Sequence, residues 1–277
     1  MSPWSSQANS RNCLKAEACS LFDLCAMRHL RSLARMIGFL LLCIGTIVVL
    51  LLDALWLNVT RADLSRSRTL VHKRFLRFIK RVQRLMGLRI HWEGEPPQEP
   101  AVMMGNHRSY LDAILFPVKF PVVYVARMET KSWPIIGWGA SLLGTIWVDR
   151  ESKDSRRLTR ATVRERLAEG MGLVIFPEGT CHYGPDLLEY RPGMFYTCAR
   201  EGFTIMPVAL EYKDQGLAWV DRTMFVPHAF KHFGPRHLDV AVRFGPLMKG
   251  DDAEKLREKV RNWTATACLE LRAQLDA

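Results

Sequence analysis

His107 and Asp112 stand five positions apart in the segment Asn106-His107-Arg108-Ser109-Tyr110-Leu111-Asp112, directly after the apolar run Ala101-Val102-Met103-Met104. Such a pair can make a general base. The carboxylate orients the ring and stabilises the imidazolium, while the second ring nitrogen takes a proton from a hydroxyl. At about 100° per residue, positions i and i+5 lie well apart around a helix, so the chain must turn between them. A strand end followed by a helix start does this. Taken alone, the same residues also fit a helix capped by Asn106 and a satisfied interior histidine.

Three further blocks lie downstream. Gly144-Thr145-Ile146-Trp147-Val148-Asp149-Arg150 ends a strand-like run on an arginine, Phe176-Pro177-Glu178-Gly179-Thr180 follows the run Gly172-Leu173-Val174-Ile175, and Ile205-Met206-Pro207-Val208 comes last. In this order the four blocks resemble the glycerolipid acyltransferase family, whose members include the lysophosphatidate acyltransferases. The resemblance runs from about Leu30 to the C-terminus, and it implies that His107 is the base and Asp112 its orienting partner.

Acyl transfer from a thioester to a hydroxyl needs a base, a positioned acceptor and stabilisation of the tetrahedral oxyanion. It needs no enzyme nucleophile. A phosphate on the acceptor would have to meet a cation, and a guanidinium does so with paired hydrogen bonds that a lysine cannot reproduce. Arg150 is the first candidate, against a surface ion pair with Asp149 or Glu151. Glu178, Gly179 and Thr180 form a turn where glycine allows close backbone approach and N–H groups can contact phosphate. Within it, Glu178 is expected to hold the loop or an arginine. Arg191, in Arg191-Pro192-Gly193 before a helix, resembles a basic element of the family and is a second phosphate candidate. Arg127 matches a position usually basic in the family and is assigned to the oxyanion or the donor, against an exposed strand-end cation.

Cys181 and His182 suggest a rival mechanism in which a thiolate forms an acyl-enzyme. Sequence neighbours on an extended loop point apart, which argues against it. The family more often has Ser or Arg after the threonine, so this departure bears on head-group selectivity.

The elements that must position these groups can be read from the apolar runs. Ala101 to Met104, Val122 to Ala126, Thr145 to Val148, Leu173 to Phe176, Thr204 to Leu210 and Leu238 to Phe244 read as strands, and Arg156 to Glu169 and Asp251 to Leu275 as helices. The alternation predicts an α/β fold, a mixed sheet flanked by helices, with sites at the carboxyl ends of strands. Glu93 to Pro100, with three prolines, reads as a linker that divides the chain into residues 1–92 and an acyltransferase domain, 93–277.

Met36 to Leu52 carries no charge and Ala54 to Leu57 extends it beyond Asp53. At about 1.5 Å per residue the uncharged part reaches about 26 Å, close to the roughly 30 Å of a hydrocarbon core. A helix that spans the membrane and one embedded in a single leaflet both fit. Val71, Phe75, Phe78, Ile79, Val82, Leu85 and Met86 then fall at helical spacing among Lys73, Arg74, Arg77, Lys80, Arg81 and Arg84, which makes a basic amphipathic helix. It reads as lying on an anionic membrane surface, against a helix packing its apolar stripe on the catalytic domain. The excess of cations after the apolar run places the catalytic domain on the cytoplasmic face of an inner or cytoplasmic membrane, and Arg28, Arg31 and Arg35 before it leave a hairpin open. Met1 to Ala26 carries Ser, Asn and Cys in a composition unlike that of the rest of the chain, and translation from Met27 is a further expectation.

The chain has 277 residues, 39 basic and 28 acidic, for a net charge of +11. Nucleic acid is the competing anionic partner, but no recognition motif accompanies the charge, so none is expected. Seven cysteines without a Cys-x2-Cys pair argue against a disulfide framework or zinc site, and no metal is expected. The partners expected are membrane lipids, a lysophospholipid acceptor and an acyl-CoA or acyl carrier protein donor, with no cofactor beyond that co-substrate. The expected reaction is acylation of lysophosphatidate to phosphatidate. Acylation of another lysolipid such as lyso-ornithine lipid, and a non-catalytic protein that binds anionic lipid through Arg74 to Arg84, are the alternatives.

Overall fold

The computed structural model describes residues 4–60, 64–132, 137, 140, 141, 144–149, 153–220 and 223–277, apart from the side chains of 4–24, 64–69, 71, 72 and 153–156. Helix α1 (Trp4–Thr60) and helix α2 (Leu64–Met86) precede a seven-stranded sheet. Its strands are β1 (Leu88–Glu93), β2 (Val102–Gly105), β3 (Val122–Arg127), β4 (Ile146–Val148), β5 (Gly172–Ile175), β6 (Ile205–Tyr212) and β7 (Leu238–Phe244). Helices α3 (Lys153–Ala168), α4 (Gly193–Glu201), α5 (Phe225–His232) and α6 (Ala253–Asp276) complete the described elements.

The spatial order is β1-β7-β6-β2-β5-β3-β4, parallel throughout except for the antiparallel pair β6 and β7. This is the mixed sheet the alternation predicts. Every residue of β2, β5 and β6 is buried, which is why these strands read as continuous apolar runs rather than alternating ones. Their side chains divide between the two faces: Met103, Val174 and Met206 join one core with Val82 and Met86 of α2, and Val102, Met104, Leu173 and Ile205 join another with Val163, Phe195 and Val260. The strand β1, counted from sequence with the membrane region, pairs in parallel with β7 at the sheet edge.

Helices α1 and α2 form an antiparallel hairpin. Arg35 donates to the Leu85 carbonyl at 3.0 Å, Phe39 meets Phe78, and Asp53 accepts both arms of the Arg74 guanidinium at 2.8 and 3.0 Å. The apolar stripe of α2 goes into the protein: Ile79, Val82 and Met86 are buried, with Phe78 and Leu85 packed beside the same core. The expectation that this stripe lies on the bilayer is therefore corrected, because the sheet core already covers it. Lys73, Arg77, Lys80, Arg81 and Arg84 remain exposed on the outer side. On α1, by contrast, Leu40, Leu41, Ile44, Val48, Leu51, Leu52 and Leu55 are exposed, and Cys25–Thr60 is long and apolar enough to cross a membrane.

Candidate active site

Strands β2 and β5 are parallel neighbours with Met104 opposite Ile175, so the segments beyond them, His107 to Asp112 and Phe176 to Thr180, emerge side by side at the carboxyl edge of the sheet. Strand β3 borders β5 and ends there on Arg127, and β4 borders β3. Chain direction alone thus gathers distant blocks. The chain connections from β2 and its neighbours run off to opposite sides here, the usual place for a ligand in such sheets.

Between β2 and a 3-10 turn at Tyr110–Ile114 the chain reverses, and this turn brings the dyad together. His107 Nδ1 and Asp112 Oδ2 are 2.7 Å apart. Oδ2 also accepts the backbone N–H groups of Arg108 at 2.8 Å and Ser109 at 3.0 Å, and Oδ1 accepts the Tyr212 hydroxyl at 2.7 Å. Asp112 is fully buried, so these donors replace the water that would otherwise stabilise its charge. An acceptor at Nδ1 fixes that nitrogen as the one carrying hydrogen and leaves Nε2 to take a proton. The ring stacks on Phe176, 4.2 Å between centroids at an interplanar angle of 5°, and its side chain stays 24 % exposed. Burial works against the charged ring, but hydrogen bonds with Asp112 and the Cys181 thiol outweigh it and raise its pKa from 6.5 to about 10.

Asn106 does not cap the turn. Its amide is buried and brackets Leu210 of β6, donating to the carbonyl at 2.7 Å and accepting the N–H at 2.9 Å. Ser109 is the cap, with Asp112 completing a capping box. One carboxylate therefore both caps the start of the turn and orients the His107 ring.

Glu178 holds its loop to the histidine. Its buried carboxylate accepts the His107 N–H at 2.9 Å and the Leu188 N–H at 3.2 Å, and burial outweighs those bonds and pushes its pKa up to about 7. With both oxygens turned inward, Glu178 positions the loop rather than facing a ligand. Gly179 has φ 76°, which glycine adopts without strain, and its carbonyl accepts Arg127 at 2.6 Å. Thr180 is exposed. Arg191 joins the same loop through its N–H to the Pro177 carbonyl at 2.9 Å and leaves its side chain exposed. Arg150 lies outside the described residues. Cys181 meets His107 rather than His182, and the His182 N–H donates to the His107 carbonyl at 3.0 Å. Among the described residues no group of three or more metal-ligating side chains gathers.

Two parts of the site were silent in the sequence. Tyr212 lies 100 positions from Asp112, at the end of an apolar strand where a tyrosine carries no special signal. Arg108 is buried beneath the dyad and pairs with Glu211 at 2.6 Å, where a charge next to a candidate base reads as surface until the fold is known.

The family model described as Acyltransferase matches residues 87–211. The chain is 31 % identical over 196 residues to the lyso-ornithine lipid O-acyltransferase of Rhizobium meliloti, covering 64 % of this chain and 67 % of that protein. It is 29 % identical over 192 residues to the lyso-ornithine lipid O-acyltransferase of Pseudomonas aeruginosa (69 % and 71 % covered). It is 30 % identical over 125 residues to the 1-acyl-sn-glycerol-3-phosphate acyltransferase of Neisseria gonorrhoeae (44 % and 49 %). In fold it resembles the crystal structure of the 1-acyl-sn-glycerophosphate acyltransferase PlsC from Thermotoga maritima, with a TM-score of 0.61 at 19 % identity, over 86 % of this chain and 98 % of that one. The match to the Acyltransferase model and to relatives of this kind over about two thirds of the chain makes it a member of the glycerolipid acyltransferase family and an O-acyltransferase.

Proposed function

We propose that the protein transfers a fatty acyl chain from acyl-CoA or acyl carrier protein to the free hydroxyl of lysophosphatidate. The observation that carries the chemistry is the His107 and Asp112 contact at 2.7 Å with the ring still reaching solvent. Nε2 takes the hydroxyl proton, the alkoxide attacks the thioester carbonyl, and the tetrahedral intermediate collapses with release of the thiolate, which recovers the proton from the imidazolium. Asp112 holds the ring and stabilises its charge. Arg127, anchored on the Gly179 carbonyl, is assigned to the oxyanion or the donor. Thr180 and Arg191 border the same loop and, with Arg150, are assigned to the acceptor phosphate.

Lyso-ornithine lipid is the second acceptor, favoured by the two relatives that match over about two thirds of their length. A carboxylate and an amine would lean less on Arg150. The exposed apolar side of α1 is assigned to the bilayer, and the cations along the outer face of α2 to anionic headgroups at its cytoplasmic surface.

Purified enzyme assayed with both acceptors against both donors separates the readings. Lysophosphatidate should give the higher kcat/KM, and Arg150→Ala should raise its KM while leaving kcat nearly unchanged. A preference for lyso-ornithine lipid with no response to Arg150→Ala would replace lysophosphatidate as acceptor. His107→Ala and Asp112→Ala should each abolish turnover while membrane binding persists; turnover retained in His107→Ala would end the general-base reading.

A further inference from the structure

The start of the α1 apolar segment faces α5 across a cavity of about 420 Å³. Its walls carry Arg28, His29 and Ser32 from α1, and Lys231 and His232 from α5, with Asp214 as the one acid in the lining. Asp214 is already engaged, accepting the Gly216 N–H at 2.9 Å and facing His232 at 3.4 Å. Arg28 and Lys231 are exposed and have no hydrogen-bond or ion-pair partner among the described residues. The neighbouring arginines are not free in this way: Arg31 donates to the Gly234 carbonyl at 2.7 Å, and Arg35 to the carbonyls of Phe233, Pro235 and Arg236.

The wall also holds an unmet donor. Ser32 is 1 % exposed, yet its hydroxyl finds no partner among the described residues. A buried hydroxyl left unbonded is costly, so its position in a cavity edged by two unpaired cations marks a place for an oxygen-rich anion. Helix α1 enters its uncharged stretch at Met36, just beyond Ser32, so the assignment of α1 to the bilayer would set this cavity near the level of the lipid phosphates.

We infer that this cavity is an anion site, separate from the acceptor site, that takes a phosphate group, with Arg28 and Lys231 meeting its charge and the Ser32 hydroxyl donating to one oxygen. The phosphate can belong to a membrane phospholipid or to free phosphate. The site does not depend on the acyl-transfer reading, because none of its residues touches the dyad. Occupied by a lipid, it would tie α1 and α5 together at the membrane surface.

The test is calorimetric titration of the full-length protein in neutral detergent with dihexanoyl-phosphatidylglycerol and, separately, with inorganic phosphate. Binding that weakens at least tenfold in the double variant Arg28→Ala/Lys231→Ala, and about tenfold in Ser32→Ala, supports the site. Tighter binding of the lipid assigns the phosphate to a headgroup, and equal binding assigns it to the free anion. Because Ser32→Ala removes an unbonded hydroxyl, its ligand-free Tm should hold or rise, which separates lost binding from lost folding. Acyl-transfer kcat should stay unchanged in all three substitutions. Binding of neither probe, or affinities the same in wild type and variants, overturns the inference whatever the acceptor assay shows.

Discussion

Glu211→Ala tests the buried charge network beneath the dyad. Glu211 is fully buried; its Oε1 accepts Nε and NH2 of Arg108 at 3.0 and 2.6 Å, and its Oε2 accepts Arg272. Arg108 also donates to the carbonyls of His182 and Asp186, at 3.2 and 3.3 Å, so one guanidinium ties β6 to the loop that carries Cys181. Removing the carboxylate strands a guanidinium only 2 % exposed, and breaking a buried pair from one side costs about 3–5 kcal/mol. At about 2–4 °C per kcal/mol for a domain of this size, Tm should fall by about 6–20 °C. Arg108→Met/Glu211→Met deletes the buried pair but leaves Arg272, whose side chain is 11 % exposed, without its carboxylate, so it should recover part of that loss. Scanning fluorimetry in neutral detergent reads both variants. A fall smaller than about 2 °C in Glu211→Ala, or a double variant as unstable as the single one, would refute the reasoning that an uncompensated charge sets the cost.

With its pKa raised by Asp112 and Cys181 toward about 10, the ring holds a proton more tightly than a free imidazole, so kcat/KM should climb with pH as the base form appears. The same shift adds stability that is fully present below 6.5 and is lost as pH rises through about 10. Cys181→Ala removes one of the bonds that raise it, so the activity limb should move to lower pH with turnover retained; loss of turnover would instead point to an acylated thiol. Glu178→Ala leaves the part-buried N–H groups of His107 and Leu188 unpaired, at about 1 kcal/mol each, and thermal unfolding together with a reduced kcat should show it; unchanged kcat would mean the loop stays in place without it. Tyr212→Phe removes one of four donors to Asp112 and should lower kcat by about tenfold at most, with acceptor KM unchanged, because a single hydrogen bond contributes about 1 kcal/mol. A shift confined to KM would place Tyr212 against the acceptor instead.

The central strands were legible because a parallel strand buried on both faces has only apolar residues to offer, and their ends carried the site blocks with them. The dyad was legible because both members lie in one short segment. The features that escaped reading rest on distance or on mixed signals. The strand β1 alternates Leu88, Ile90 and Trp92 with Arg89 and His91, so at the sheet edge it looks like more of the basic run before it. Helix α5 carries Pro227 near its start and spans only Phe225–His232. The bracket from Asn106 to Leu210 crosses 104 positions, and a side chain with that reach looks locally like a cap. The amphipathic pattern of α2 gave its two faces but could not say which solvent met the apolar one, since a sheet and a bilayer ask for the same stripe.

The stacking of His107 on Phe176 has a steric corollary. An imidazole pressed flat against a benzyl group cannot tip out of its plane, and the lone pair on its far nitrogen points along a single fixed heading. An alcohol must arrive along that heading to surrender its hydrogen. An acceptor whose free hydroxyl the bound headgroup does not swing into line will therefore react slowly, so reactivity is dictated by the aim of a ring rather than by the snugness of a pocket.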